Sequence, residues 1–571
     1  MPTNAEVRDQ LTGPGGAFEV VTEVIDGVEM KAYKDRLPSL RSVAELGAMR
    51  GDQTFVVYGD QRMSFGDFFQ LANNASAALQ NRFELSHGDR LAVLSANNPE
   101  WCISFWATVN LGGILVGLNG WWKTDEIIYG LQDSGARFLV ADAGRFRRIA
   151  AHLDELPDLE AVFLIDAEPS EFSGDARLRR FDELTADEVA GFPDVPIDEA
   201  DYAVIFYTSG TTGRPKGAIS SHRNMIANLQ NTLYTTIAGA MVSGDAPPVG
   251  GDGGQTSALL TSPLFHVSGC HSSLVVGTIG GVKLVIPQGK FEPDKALQLI
   301  ADEKVTIWAT VPTMVWRVCE YPGRHDYDTS TVTSVAFGGS PSADELQRMV
   351  RETFPNVRST SNAYGLTETS SVATVISGQD ALDKPTSVGP PVPVVELKVV
   401  GGDGRALGVG ETGEVLIKGP IVVPGYWGKP EATAEAIEDG WLHTGDIGYL
   451  DEEGFLYITD RAKDMIIRGG ENIYCVEIEQ RLVEHPLIAD AAVIGVPHPE
   501  LGEQVKAVVE LIDGAQLAKE EVMAWVAEAL ATFKVPQYVE FTGEKLPRNA
   551  SGKLLKNVLR GEGEVSFAET M

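Results

Sequence analysis

From Thr208 to Gly217 the chain reads Thr-Ser-Gly-Thr-Thr-Gly-Arg-Pro-Lys-Gly, directly after the apolar run Ala203–Tyr207. Gly210, Gly213 and Gly217 let a backbone approach a ligand closely. Thr208, Ser209, Thr211 and Thr212 add hydroxyl donors, and Lys216 adds a fixed positive charge. That inventory suits the polyphosphate of a nucleotide, which is bound by backbone N–H groups, hydroxyls and a cation. It differs from the G-x-x-x-x-G-K-[ST] phosphate loop. Here the lysine follows a proline, and Gly217 stands where that motif has a Mg²⁺-binding hydroxyl.

Further strings follow in a fixed order: Leu-Phe-His-Val-Ser-Gly (264–269), Asn-Ala-Tyr-Gly-Leu-Thr-Glu-Thr (362–369) and Trp-Leu-His-Thr-Gly-Asp (441–446). Then come Tyr-Ile-Thr-Asp-Arg-Ala-Lys-Asp (457–464), Gly-Gly-Glu-Asn (469–472) and Pro-Arg-Asn-Ala-Ser-Gly-Lys (547–553). Together they resemble the adenylate-forming superfamily of acyl-CoA synthetases, luciferases and peptide-synthetase adenylation domains. The resemblance covers about residues 40–560.

The resemblance implies a two-step ligase. A carboxylate and ATP give acyl-AMP and pyrophosphate, and acyl-AMP and CoA then give acyl-CoA and AMP. Lys553 is implied to bridge the carboxylate and the α-phosphate. Glu368, with Thr208, is implied to hold Mg²⁺, and Tyr364 to stack on adenine, with Gly365 and Thr367 beside the nucleotide. Asp446 would bind the ribose hydroxyls, supported by Arg461. His266 would gate or orient the carboxylate, with Val267, Gly338, Gly339, Ser340 and Gly365 lining the acyl pocket. For the second step a small domain rotates about a hinge. Lys463 then takes a catalytic place, while Gly469, Gly470 and Glu471 line the CoA channel.

The chemistry fits these residue types. A carboxylate is already ionised at neutral pH, so no nucleophile needs activating, and no Ser/His/Asp triad is evident. The barrier lies in bringing two anions together, which positioning and positive charge must lower.

The net charge of −34 argues against nucleic acid or an anionic membrane as partner. Lys216, Arg461, Lys463, Arg468 and Lys553 supply local positive charge beside the motifs. Cys102, Cys270, Cys319 and Cys475 show no metal or disulfide spacing, which fits a reducing cytoplasm. Met1–Gly16 has no signal-peptide pattern. Trp101–Trp122 carries no charge, but its Asn and Gly residues point to buried elements rather than a membrane span: a helix Pro99–Leu111 and a strand Ile114–Leu118. The partners expected are a small carboxylic acid, ATP and CoA, with no stable membrane insertion. Monomer and homodimer are both compatible with the family.

The elements that must position the motifs form an α/β chain. Phe18–Met30 reads as a hairpin turning at Asp26-Gly27, and Ser64–Gln80 has helical spacing. Arg90–Leu94, Thr124–Ser134 and Phe138–Ala141 continue a strand–helix alternation that implies parallel sheet, and a second such run spans 203–376. The expectation is a large N-terminal domain, 1–460, built of two parallel-sheet α/β subdomains (about 1–200 and 201–384) and a small β-barrel or sheet (385–460). A small mobile α+β domain, 461–571, follows. It should hold a helix near Cys475–His485, strands Ala492–Val496 and Gln504–Leu511, and a helix Glu520–Ala529. Ala238–Gln255 reads as a Gly/Pro/Asp-rich surface loop.

The segments matching the family's acyl pocket are Leu264–Val275, Trp308–Met314, Ala336–Ser342 and Asn362–Thr369. Apart from Glu368 they hold no formal charge. A second charge on the substrate would be buried unpaired, so the acid should be apolar and monocarboxylic. A medium- or long-chain fatty acid is the leading expectation. Aryl, phenylpropanoid and steroid side-chain acids are the alternatives, with a carrier protein as alternative acceptor. Amino-acid-activating relatives carry an Asp near position 266, where this chain has Leu-Phe-His, and only about eighteen residues follow Lys553. A nucleotide-binding regulator with a dead site is disfavoured by intact Lys216, Glu368, Asp446 and Lys553.

Overall fold

The computed structural model describes residues 2–172, 174–208, 214–244, 254–338, 344–462, 464–468, 471–548 and 554–561. The described residues divide into two compact units. The first takes residues up to Leu397 together with Ile417–His443, and the second takes Lys398–Leu416 together with residues from Thr444 on.

The first unit is α/β and contains two large sheets. One has seven strands, parallel except for the last pairing, in which Lys216–Ser221 runs antiparallel to Tyr202–Thr208. Its members Arg90–Leu94, Ile114–Gly117 and Phe138–Asp142 are buried on both faces, which is why they read as continuous apolar runs. The other sheet has eight strands, parallel in its centre with an antiparallel pair at each end. The two sheets do not part at residue 200. The hairpin Thr54–Ser64 joins the second sheet, and Tyr202–Ser221 completes the first.

Local chemistry sets the helix boundaries. Asn98 caps Pro99–Val109 by accepting from the Trp101 N–H at 2.8 Å, with Pro99 in the first turn, where its missing N–H costs nothing. All of this helix from Trp101 to Val109 is buried, and no helix among the described residues is long and apolar enough to cross a membrane. Ser221 caps the helix His222–Ser243 by accepting from the Asn224 N–H.

That helix corrects one expectation. Ala238–Ser243 is helical rather than loop. Its apolar residues Ile237, Ala238, Met241 and Val242 pack on Val7, Leu11, Phe18 and Tyr33 from the chain's start, which prolongs the helix against the weak propensity of Gly239. The rest of the expected loop lies largely outside the described residues. The predicted hairpin is present as Val20–Ile25 paired with Val28–Tyr33, turning at Asp26-Gly27.

The second unit carries the hairpin Trp441–Leu450/Leu456–Arg461 from Asp446 onward, and then an α+β body. There Ile488–His498 and Gly502–Leu511 pair antiparallel, with the helices Cys475–Val483 and Lys519–Ala527 covering a core of Ile478, Val493, Val509 and Val522. All four cysteines are buried and unpaired.

Candidate active site

In the first unit, the Thr208–Lys216 motif bridges two antiparallel strands whose ends face each other. Thr208 and Lys216 are register partners, and the Thr208 hydroxyl lies 3.4 Å from the Lys216 carbonyl. Ser209, Gly210, Thr211, Thr212 and Gly213 lie outside the described residues. The feet of the loop are anchored to the helix Thr124–Ser134. Tyr207 O–H donates to Asp133 Oδ2 at 3.0 Å, and Tyr129 O–H reaches both Asp133 Oδ1 (3.2 Å) and the Pro215 carbonyl (3.0 Å). Lys429 Nζ pairs with Asp133 Oδ1 at 2.7 Å, so this buried carboxylate is held by two phenols and a cation. Arg214 lies over the Tyr129 ring at 5.0 Å.

The Asn362–Thr369 string leaves the second large sheet. Tyr364 ends the strand Ser359–Tyr364, whose Ala363 pairs with Gly338, so these two predicted positions sit on neighbouring strand ends. Gly339 and Ser340 fall outside the described residues. Thr367–Thr369 forms one helical turn. Gly365 must lack a side chain, because a Cβ there would lie 1.5 Å from the Ser371 carbonyl oxygen. Glu368 accepts from Tyr426 O–H at 2.8 Å, and its backbone carbonyl accepts from the Val423 N–H at 3.0 Å. Lys216 Nζ stands 5.2 Å from the centroid of the same Tyr426 ring. Lys216 and Glu368, 152 positions apart in the chain, are thus brought to one tyrosine. Burial, and then the neighbouring Glu368, push the Tyr426 phenol above its ordinary range, so it stays protonated and donates.

His266 follows a buried Leu264-Phe265 pair and leans on the Phe265 ring at 5.0 Å, which in turn meets Trp121 at 5.2 Å. Val267 packs against the main core of this unit.

In the second unit, Asp446 and Arg461 are register partners across the hairpin, and Arg461 Nε pairs with Asp446 Oδ1 at 2.8 Å. Thr444 fixes the approach to Asp446, donating to the Val415 carbonyl at 2.6 Å and accepting from the Asp446 N–H at 3.0 Å. Glu471 lies in a short strand paired with Arg468. Lys463, Gly469, Gly470 and Lys553 lie outside the described residues. Beside the position of Lys463, Asp460 accepts from the Arg461 and Cys475 N–H groups. Burial pushes its carboxyl up to about 6 against the opposing pull of Lys556. Lys556 itself is buried and pairs with Glu479 at 2.8 Å.

Residues 43–427 match the AMP-binding enzyme family, and residues 477–553 match the C-terminal domain of AMP-binding enzymes. This chain belongs to the AMP-binding enzyme family. It is 34% identical to feruloyl-CoA synthase from Amycolatopsis sp over 516 residues, covering 89% of this chain and 95% of that one. It is also 34% identical to a long-chain-fatty-acid–CoA ligase from Bacillus subtilis over 553 residues, covering 92% and 94%. Among solved structures, ATP-bound MatB from Rhodopseudomonas palustris superposes with a TM-score of 0.78 at 29% identity, covering 91% of this chain and 98% of that one.

In this AMP-binding enzyme, sequence reasoning missed Asp133 and Tyr426. Neither lies in a motif. Each is joined to one only by the fold, Asp133 to Tyr207 across 74 positions and Tyr426 to Glu368 across 58.

Proposed function

We propose that this enzyme activates an apolar monocarboxylic acid, with a medium- or long-chain fatty acid as the class that fits best. It is an ATP-dependent acid–CoA ligase that forms AMP, with ATP and CoA as co-substrates. The observation that carries the choice of acid is the uncharged character of the four segments assigned to the acyl pocket. In them Leu264, Phe265, Leu274, Val275, Trp308 and Met314 are buried, and the only formal charge, Glu368, is engaged by Tyr426. A chain acid gains about 0.8 kcal/mol for each methylene it buries there, whereas a second carboxylate would find no cation.

In this reading Lys216 and the hydroxyl loop hold the phosphates, Tyr364 stacks on adenine, and Asp446 with Arg461 binds the ribose. His266 orients the carboxylate, and Lys553 brings the carboxylate and α-phosphate together. The carboxylate oxygen attacks the α-phosphorus, the bond to the bridging oxygen breaks, and pyrophosphate leaves with the electron pair. Residues 461–571 are proposed as the mobile domain that replaces Lys553 by Lys463 and the Gly469–Glu471 backbone for thioester formation. There the CoA sulfur attacks the acyl carbon, its proton passes to water, and the bond to the AMP oxygen breaks so that AMP leaves with the electron pair.

Mg²⁺ fits the donor set. Glu368 supplies one hard carboxylate, Thr208 a hydroxyl, and no cage of three or more His, Cys, Asp or Glu exists among the described residues. Mg²⁺ commonly takes one or two protein oxygens and completes its shell with water and substrate phosphates. When bound, it neutralises phosphate charge.

A second reading, an aryl acid, is favoured by the equal identity to feruloyl-CoA synthase. A panel from acetate through palmitate to cinnamate, ferulate and a steroid acid, scored for acyl-CoA, decides between them. The highest kcat/KM is expected with a C8–C18 fatty acid. A peak at ferulate would transfer the assignment to the aryl class, and a peak at acetate would contradict the assignment of a chain acid.

A further inference from the structure

Directly after Glu368 the backbone turns through Ser370 at φ 49° and Ser371 at φ 114°. Two consecutive non-glycine residues on the positive-φ side are strained, and such strain persists only where the surroundings hold it. Here the surroundings are explicit. The Ser220 hydroxyl meets that of Ser370 at 3.0 Å, and the Ser272 hydroxyl meets that of Ser371 at 2.6 Å. Asn228 Oδ1 accepts from the Val372 N–H at 3.2 Å. Within the turn, the Thr369 hydroxyl donates to the Ser371 carbonyl at 2.9 Å, and from outside it His271 Nδ1 lies 3.2 Å from the Ser370 carbonyl.

A carbonyl can only accept, so Nδ1 carries the proton and Nε2 is bare. Nε2 is buried with no hydrogen-bond partner among the described residues. Burial holds this imidazole neutral, lowering its pKa to about 3, so the donor persists at any working pH. His271 sits in a locally widened helical turn, Cys270–Val275, and its ring stacks on Phe206 at 5.4 Å. A π-type turn of this kind is uncommon and often re-aims one side chain. The strained turn bears in turn on the residues before it. The Ser371 carbonyl closes on Gly365, and the Ala373 N–H donates to the Tyr364 carbonyl at 2.9 Å.

We propose that His271 is a positioning residue for ATP binding: by donating to the Ser370 carbonyl it locks the strained turn that holds Tyr364 and Glu368 in their nucleotide-receiving conformation. The inference rests on the reading of Tyr364 and Glu368 as nucleotide contacts. It differs from the role given to His266, because the His271 ring is buried and its Nδ1 is spent on the Ser370 carbonyl.

The test is ATP affinity by calorimetry, read beside steady-state kinetics. His271→Phe keeps the ring and its stacking but removes the donor, and should weaken ATP binding about tenfold, by a larger factor than it changes the acid KM. His271→Asn places an amide N–H near the Nδ1 position and should recover affinity to within about threefold of wild type. Ser370→Gly accepts the turn without strain yet frees it, and should weaken ATP binding by a smaller factor; it keeps the question open to test if His271→Phe does not fold. Unchanged ATP affinity in His271→Phe, or in Ser370→Gly, overturns the proposal, as does equal loss in His271→Phe and His271→Asn. Tyr364→Ala and Glu368→Gln serve as controls. If both bind ATP like wild type, the underlying nucleotide reading fails; if both lose affinity while His271→Phe keeps it, only the positioning role fails.

Discussion

Two groups of candidate site residues, one in each compact unit, are held by different chemistry. Around Tyr364 and Glu368 the supports are neutral: serine hydroxyls, a neutral histidine, an asparagine and a phenol. In the second unit they are ionic: Asp446 with Arg461, Lys556 with Glu479, and Arg560 with Asp464 at 3.3 Å. A neutral, hydrogen-bonded frame keeps one geometry across pH and salt, at the cost of strain that packing must offset. A partly buried ionic frame responds to both, because desolvation and pairing nearly balance. The difference fits the proposal that the residues of the first unit hold the nucleotide while those of the second change partners between two half-reactions.

The largest expected effect separates the units by function. Lys553→Ala should slow acyl-adenylate formation by at least about a hundredfold, roughly 3 kcal/mol of transition-state stabilisation, while thioester formation from supplied acyl-adenylate is spared. Equal loss of both half-reactions would remove the two-geometry reading.

Next comes the rigidity of the neutral frame. Gly365→Ala drives a Cβ into the Ser371 carbonyl and should cost roughly 3 kcal/mol in stability or abolish ATP binding outright. A variant with native melting temperature and native ATP affinity would show that the turn is soft.

The ionic frame should show itself through pH. The folded-state pKa of Asp460 lies at about 6, above its ordinary 3.8, so between those values the native state binds more protons than the unfolded chain. Its contribution to stability therefore falls as pH rises from about 4 to 6 and is flat above, with a span on the order of 2–3 kcal/mol. Asp460→Asn should remove that segment of the stability–pH profile of the second unit. An unchanged difference between variant and wild type across pH 4–6.5, by denaturant titration, would contradict it.

The smallest effect concerns the anchor of the Thr208–Lys216 motif. Asp133→Asn should weaken the hold on Tyr207 and Lys429 and cost about 1–2 kcal/mol, with ATP KM raised more than acid KM. The opposite split would place Asp133 in acid binding.

These predictions draw on residues of unequal legibility. The loop hydroxyls and Lys216 stand out because groups needed in one short loop are written as one short string, and Glu368 stands out in a second such string. The buried strands were also legible, since burial on both faces turns Arg90–Leu94 and Ile114–Gly117 into continuous apolar runs. What supports the site was not. His271 meets Ser370 across 99 positions, and nothing local distinguishes it from His266 five residues earlier. The extension of the helix through Ala238–Ser243 was hidden for the same reason, because its apolar face is matched by Val7, Leu11, Phe18 and Tyr33 far upstream. A window containing Gly239 and the glycines after Asp245 averages to a loop, although its first part is helix.

The most direct test of acyl-adenylate chemistry follows the oxygen. A fatty acid labelled with ¹⁸O in both carboxylate oxygens is turned over with ATP, Mg²⁺ and CoA, and the products are read by mass spectrometry. Direct attack of the carboxylate on the α-phosphorus predicts one ¹⁸O in each AMP, none in pyrophosphate, and acyl-CoA retaining the other. Unlabelled AMP, or ADP as the nucleotide product, would contradict it.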